Sequence, residues 1–222
     1  MSHPLGLFSP VQAWRALSRA WMLYHIGDER FRFMWDAPPP DEWVALDCET
    51  TGLDTQRDEV IAIGAVRIRG NRVMTSERLE LIVKPEKRRL TAESVKVHRL
   101  REQDVAQGMP IDEALRQLMW FIGSRPLVGY YLEFDLAMIN RLLFPMLGVK
   151  LPQPRFEVSA MYYDLKYRQL PSHEQGLKPI DLRFAALMDD LGLPQREAHD
   201  AINDAVMAAL AFVKLRHLAG QG

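Results

Sequence analysis

The chain has 222 residues, 48% of them hydrophobic and 26% charged, the profile of a soluble globular protein with one sizeable core. Its 28 basic and 29 acidic residues leave a formal net charge of -1, which excludes a global basic field, so any nucleic-acid contact must come from a local patch. The single cysteine, Cys48, excludes a disulfide framework and a cysteine zinc site, and points to a reducing, cytoplasmic compartment. No apolar run reaches the length of a membrane span, and "MSHPLGLFSP" lacks the basic and apolar regions of a secretory signal, so neither membrane nor export is expected.

Residues 9–27 read as a helix, with Ser9 as cap, Pro10 at the first helical position and Gly27 as the C-terminal cap. Val11, Trp14, Leu17, Trp21 and Tyr24 lie along one stripe. That stripe either packs on the protein's own body or forms a docking surface for a partner or a second copy. Pro38-Pro39-Pro40 reads as a stiff, extended spacer. Residues 1–40 are therefore expected to form an N-terminal helical extension with a proline-rich linker, and residues 41–218 the main domain.

From Trp43 the pattern changes. Residues 43–48, 59–69 and 72–83 read as strands, with Gly70-Asn71 turning between the last two. Thr91 and Ser94 have the spacing of a capping box without its acidic or amide member. Ile111, Ala114, Leu115, Leu118, Met119 and Ile122 predict a helix over 111–122. "PLVGYY" reads as a short strand, and 134–146 as a helix closed by Pro145 and Gly148. Helices are expected near 159–169 and 180–191, and a last one over 200–217. Strands first, then strand and helices alternating, argue for an α/β layered domain with a mixed sheet.

The stretch "DCETTG" puts two carboxylates at the end of an otherwise buried strand. Positions i and i+2 share a face, so Asp47 and Glu49 project to one side while Leu46 and Cys48 go to the other. Two such charges form a salt-bridged pair at a strand end, or stay ionised around a divalent cation. Oxygen ligands without neighbouring histidine or cysteine favour magnesium or manganese over zinc. Asp135, in "VGYYLEFD", falls where a strand hands over to a helix, and Asp204, in "HDAINDA", in the first turn of the final helix. Helix N-termini favour negative charge, so both can stay ionised. His199 lies just before that helix, a fitting place for a general base.

These three segments resemble the motifs of one family. "DCETTG" resembles the first motif of the DEDD exonuclease superfamily, "VGYYLEFD" is similar to the second, and "HDAINDA" matches the third in its histidine form. The chain, over roughly residues 41–217, thus resembles the DnaQ-like 3′–5′ exonucleases, which include the proofreading subunit of the bacterial replicative polymerase. The resemblance implies an RNase H-like mixed central sheet flanked by helices. It implies two Mg2+ or Mn2+ ions held by Asp47, Glu49, Asp135 and Asp204, with His199 deprotonating the attacking water. It also implies substrate contacts at Thr50, Thr51, Gly52, Leu53 and His98, where Leu53 wedges against the last bases; packing or surface roles are the alternatives for Leu53 and His98. His3, His25, His173 and His217 read as solvated or locally hydrogen-bonded. Two positions depart from the family pattern: Tyr131 stands where asparagine is usual, and Arg99 where glycine commonly follows the family histidine.

Lys84, Lys87, Arg88, Arg89, Arg99 and Arg101 form a solvated basic surface or a track for the phosphate backbone. The implied substrate is nucleic acid with a free 3′ end, single-stranded or frayed DNA being favoured. An RNA-trimming enzyme of the RNase T or oligoribonuclease kind is the alternative within the class, and a non-catalytic polymerase accessory module the alternative outside it. A paired-carboxylate glycosidase is more remote, because it would not explain Asp135 and Asp204 on helices. A DNA polymerase is one expected partner, and self-association through the N-terminal helix another.

Overall fold

A computed structural model describes residues 10–87, 100, 102–196 and 200–220. Helix α1 (Pro10–His25) and a 3-10 helix (Glu29–Trp35) precede strands β1 (Glu42–Thr50), β2 (Val60–Arg69) and β3 (Arg72–Ile82). Helices α2 (Glu102–Ala106) and α3 (Ile111–Ile122), strand β4 (Leu127–Gly129) and helix α4 (Leu132–Leu147) follow. Strand β5 (Arg155–Glu157) and helices α5 (Val158–Gln169), α6 (Phe184–Asp190) and α7 (Ala201–Ala219) complete the domain. The sheet order is β3-β2-β1-β4-β5. β1, β2 and β3 pair antiparallel, whereas β4 runs parallel to β1 and β5 parallel to β4. This is the mixed, helix-flanked sheet expected from the sequence.

Strand alternation divides the core. Val44, Leu46 and Cys48 point into a layer with α3 and α4, alongside Leu115, Leu118, Leu136 and Ile139. Ala45 points the other way, into a layer where Val206, Ala209 and Phe212 of α7 meet Leu187 and Met188 of α6. Asp47 and Glu49 continue the Ala45 face, toward the beginning of α7. The two layers bury the sheet on both faces, which explains the nearly unbroken apolar run of β2.

Several boundaries differ from the sequence expectation, each for a physical reason. Gly27 does not cap α1, which ends at His25; its N–H instead donates to the Leu147 carbonyl at 2.8 Å. Pro145 lies inside α4, and the helix ends at Gly148, whose φ of +71° is the left-handed geometry of a C-terminal stop. "PLVGYY" is strand only through Gly129, because Tyr131 turns left-handed at φ 53° and starts α4. The helix expected over 180–191 is confined to Phe184–Asp190. The Thr91–Ser94 cap lies outside the described residues.

The segment before β1 contributes to the body more than its proline run suggests. Phe31, Met34 and Trp35 of the 3-10 helix are buried against Met119, Leu143, Leu147 and Val149. Phe33 stacks on Trp120 with ring centroids 4.4 Å apart. The α1 stripe behaves oppositely. Trp14, Leu17, Trp21 and Tyr24 are 62% to 85% exposed, while Met22, Leu23 and Ile26 make the contacts to the core. The reading in which that stripe packs on the protein's own body is therefore wrong. Among the described residues no helix is long and apolar enough to cross a membrane.

Candidate active site

Two carboxylates of β1 and one from the distant α7 meet at one end of the sheet. Asp47, Glu49 and Asp204 each offer an oxygen within 4.8 Å of the others, and all three are half-buried. Asp47 and Glu49 share a face of β1. Asp204 arrives because α7 starts at Ala201 and its first turn lies on β2, where the Asp204 N–H donates to the Asp200 carbonyl at 2.9 Å. The approach depends on Gly64, the residue opposite Asp47 in the β1–β2 ladder. A Cβ at Gly64 would fall 2.2 Å from the backbone carbon of Ala201, so only glycine lets the helix end settle there.

Asp135 lies beside this group and not within it. Its register partner strand explains why. β4 pairs with β1 only at Val44 and Ala45, and the chain then turns into α4, so the Cys48 N–H meets a side chain in place of a strand. That side chain is Asp135, whose Oδ1 accepts the bond at 2.9 Å and which is 4% exposed. The helix carrying it is fixed by Glu157 at the end of β5. The Glu157 carboxylate accepts from the N–H groups of Tyr131 and Leu132 at 3.0 and 2.9 Å, doing the capping that the Tyr131 side chain does not do. Tyr131 sits at φ 53°, a region that asparagine tolerates better than tyrosine, which gives a backbone reason for the family's usual residue there.

The electrostatics are those of several acids gathered in a partly buried space. Burial, then the charges of Asp135, Asp204, Glu49 and Asp200, push the Asp47 carboxyl well above its ordinary range. Burial, then Asp204 and Asp200, push Glu49 up to about 7. Burial raises Asp135 to about 8 against the opposing pull of the Cys48 and Asp135 backbone N–H groups. Among the described residues no lysine, arginine or histidine forms an ion pair with Asp47, Glu49 or Asp135. A salt-bridged pair, one reading of "DCETTG", is thus absent for its two acids among these residues. A donor set of carboxylate oxygens fits a hard divalent cation.

The loop after β1 is built from its own polar groups. Thr50 Oγ1 donates to the Gly52 carbonyl at 2.7 Å, next to a bulge between Glu49 and Thr50. Thr51 is 4% exposed, and its hydroxyl is taken by Asp58 Oδ1 at 2.9 Å and the Glu59 N–H at 3.0 Å. In this structure the Thr51 side chain is thus committed to bonds within its own loop. A Cβ at Gly52 would lie 2.5 Å from Asp58 Oδ2, so that glycine admits the loop-closing carboxylate. Leu53 projects at the tip, 86% exposed. His199, His98, Arg88, Arg89, Arg99 and Arg101 lie outside the described residues. His25 Nδ1 bonds to the Trp21 carbonyl at 2.8 Å, the local partner expected of it.

Sequence reasoning passed over Gly64, Asp58 and Glu157, and considered Asp200 only as the cap of the last helix. Asp200 stands one turn before Asp204, and its charge reaches both Asp47 and Glu49. The i, i+4 spacing of the two aspartates was visible. The roles of Gly64 and Glu157 depend on contacts between remote segments.

Comparison with known proteins agrees with this geometry. The family described as Exonuclease (RNase_T) matches residues 44–212. A DNA polymerase III PolC-type protein of Thermotoga maritima is 26% identical over 172 residues, covering 78% of this chain but only 12% of the relative. A DNA polymerase III subunit epsilon of Aquifex aeolicus is 29% identical over 174 residues, covering 78% of this chain and 79% of the relative. In fold, the chain is similar to cell-death related nuclease 4 (TM-score 0.65, 17% identity, covering 80% of this chain and 64% of that one). It is also similar to E. coli Exonuclease I in complex with a dA16 oligonucleotide (TM-score 0.67, 16% identity, covering 82% of this chain and 42% of that one). The chain belongs to the exonuclease family, in its DnaQ-like branch.

Proposed function

We propose that residues 41–218 form a metal-dependent 3′–5′ exonuclease that releases nucleoside monophosphates from DNA. The observation that carries this reading is the meeting of Asp47, Glu49 and Asp204 oxygens within 4.8 Å, with Asp135 bonded to the same strand. The choice of DNA is supported by the polymerase III relatives, the PolC-type and epsilon proteins.

Asp47, Glu49, Asp135 and Asp204 are the residues that hold two Mg2+ or Mn2+ ions. When bound, such ions supply a nucleophilic water at neutral pH and neutralise charge on the phosphate oxygens. His199 takes the proton from the attacking water. The Thr50–Gly52 turn and the exposed Leu53 receive the terminal nucleotide, with Leu53 against its base, and His98 approaches the same end. Asp200 adds negative charge at the rim, which favours cation uptake. The exposed α1 stripe is the surface for a second protein chain, a polymerase being the partner that the relatives suggest. The buried Cys48, held as a thiol by its surroundings, suits a reducing, cytoplasmic setting.

The decisive experiment incubates the protein with 5′-labelled single-stranded DNA, duplex DNA and RNA, in Mg2+, Mn2+ or chelator. The expected result is a ladder that shortens from the 3′ end, strongest on single-stranded DNA and abolished by chelator and by Asp47→Ala. Cleavage that persists in chelator, or a pattern of internal cuts, contradicts the proposal. Preferential trimming of RNA would replace DNA as the substrate.

A further inference from the structure

The outer face of α4 carries a feature that the carboxylate centre does not use. Ala137, Asn140, Arg141 and Phe144 recur at helical spacing and line an open trough, walled by Gln56 of the loop after β1 and by Lys150 and Arg155. Phe144 is 53% exposed in it. Neither the Lys150 nor the Arg155 side chain has an ion pair or hydrogen bond among the described residues. Arg141 is held in place by donating to the Asp58 carbonyl, so α4 and the 52–58 loop share one guanidinium. Three cations face a single lining carboxylate, Glu133, which stands near the first turn of α4.

The direction of the trough follows from the topology. α4 begins beside the carboxylates, where Asp135 reaches Cys48, and ends at Gly148, with Lys150 two residues beyond. Twelve residues separate Asp135 from Leu147, about 18 Å at helical rise. The trough therefore starts at the loop that follows Glu49 and leads away from the site along the helix. We infer that this trough binds the sugar-phosphate backbone of a single nucleic-acid strand upstream of the 3′ end being cut, with Arg141, Lys150 and Arg155 on phosphates and Phe144 under a base. Unpaired cations match phosphates, and an exposed aromatic ring among them matches a base regardless of its identity. The inference rests on the proposed exonuclease reading for the location of the 3′ end, but its binding chemistry does not require turnover.

The test pairs the charge reversals Lys150→Glu and Arg155→Glu in one variant and uses Phe144→Ala as a second. Binding of a fluorescein-labelled single-stranded oligothymidylate about twenty nucleotides long is measured in EDTA, where no metal-dependent cleavage occurs, across a salt series. Hydrolysis of the p-nitrophenyl ester of thymidine 5′-monophosphate in Mn2+ is measured alongside; that substrate has no upstream strand. The double variant should bind the oligonucleotide about tenfold more weakly or worse, with its log-log salt slope reduced by about 1.4, two phosphate contacts' worth for a single strand. Phe144→Ala should weaken binding about fivefold or more with the slope unchanged. Both variants should hydrolyse the small ester as the wild type does. Wild-type affinity and slope in the double variant overturn the inference, as does equal loss on the small ester. If the wild type in Mn2+ hydrolyses neither the small ester nor the oligonucleotide, yet its binding in EDTA depends on Lys150 and Arg155, the exonuclease reading fails and the binding trough stands.

Discussion

Where α7 meets β2, the backbone of Ala201 lies so close to Gly64 that one added carbon would collide with it. At α1, four large apolar side chains stand in water, and only the far side of the helix touches the core. The first region is packed to a tolerance of a fraction of an ångström, because three carboxylates must share a small volume. The second leaves apolar area unburied, which a fold retains at little cost if another surface covers it. The carboxylate end is tightly positioned, and α1 leaves an apolar face exposed. Under the proposed function, chemistry and association would thus be held by separate parts of the chain.

If that separation is real, substitutions at the carboxylate end should remove activity and those at α1 should not. Asp47→Ala is expected to lower hydrolysis by about 10³-fold, because the proposed cation site would lose a ligand, with single-turnover rates as the check. Gly64→Val removes no polar group, yet it should abolish most activity and destabilise the fold by about 3 kcal/mol or more, read from denaturant melts. Gly70→Ala, at φ +55° with nothing near it, is the control and should cost only about 1 kcal/mol with activity kept. His199→Ala should cost about 100-fold, and a rate near wild type would remove the histidine from its assigned role.

The pH dependence of stability tests the same site more gently. Asp47, Glu49 and Asp135 have carboxyls raised in the folded chain, so folded protein holds more protons than unfolded protein through the window above the ordinary carboxyl range. Stability of metal-free protein should therefore fall as pH rises from about 5 to about 8, and Mn2+ should restore more at the upper end. A melting temperature that rises over that window without metal would contradict the assigned burial. The smallest effect belongs to α1: replacing Trp14 and Trp21 with serine should change stability by no more than about 0.5 kcal/mol and leave hydrolysis intact, while lowering any association seen by light scattering.

Much of the fold could be read from residue order. The 111–122 helix and the three antiparallel strands emerge from local periodicity, since their apolar faces are set by neighbours three, four or two residues away. β5 was missed because three residues are too few to show alternation. The 3-10 helix was missed because Phe31, Met34 and Trp35 sit next to a proline run that reads as linker. The acids of the site were legible as types at suggestive positions. Their helpers were less so: Glu157 reads as one more charge, and Gly64 as a weak spot in a strand.

By itself the sequence determined which residue types were available, where most of the longer helices and strands would lie, and that Asp47 and Glu49 would share a face. Those are short-range consequences of backbone geometry. Only the tertiary structure decided that α7 could touch β2 at Gly64, that Asp135 would take the Cys48 amide left open by a short β4, and that the α1 stripe would face solvent. Each of these depends on which remote surface comes to lie opposite, and no local pattern of side chains encodes that choice.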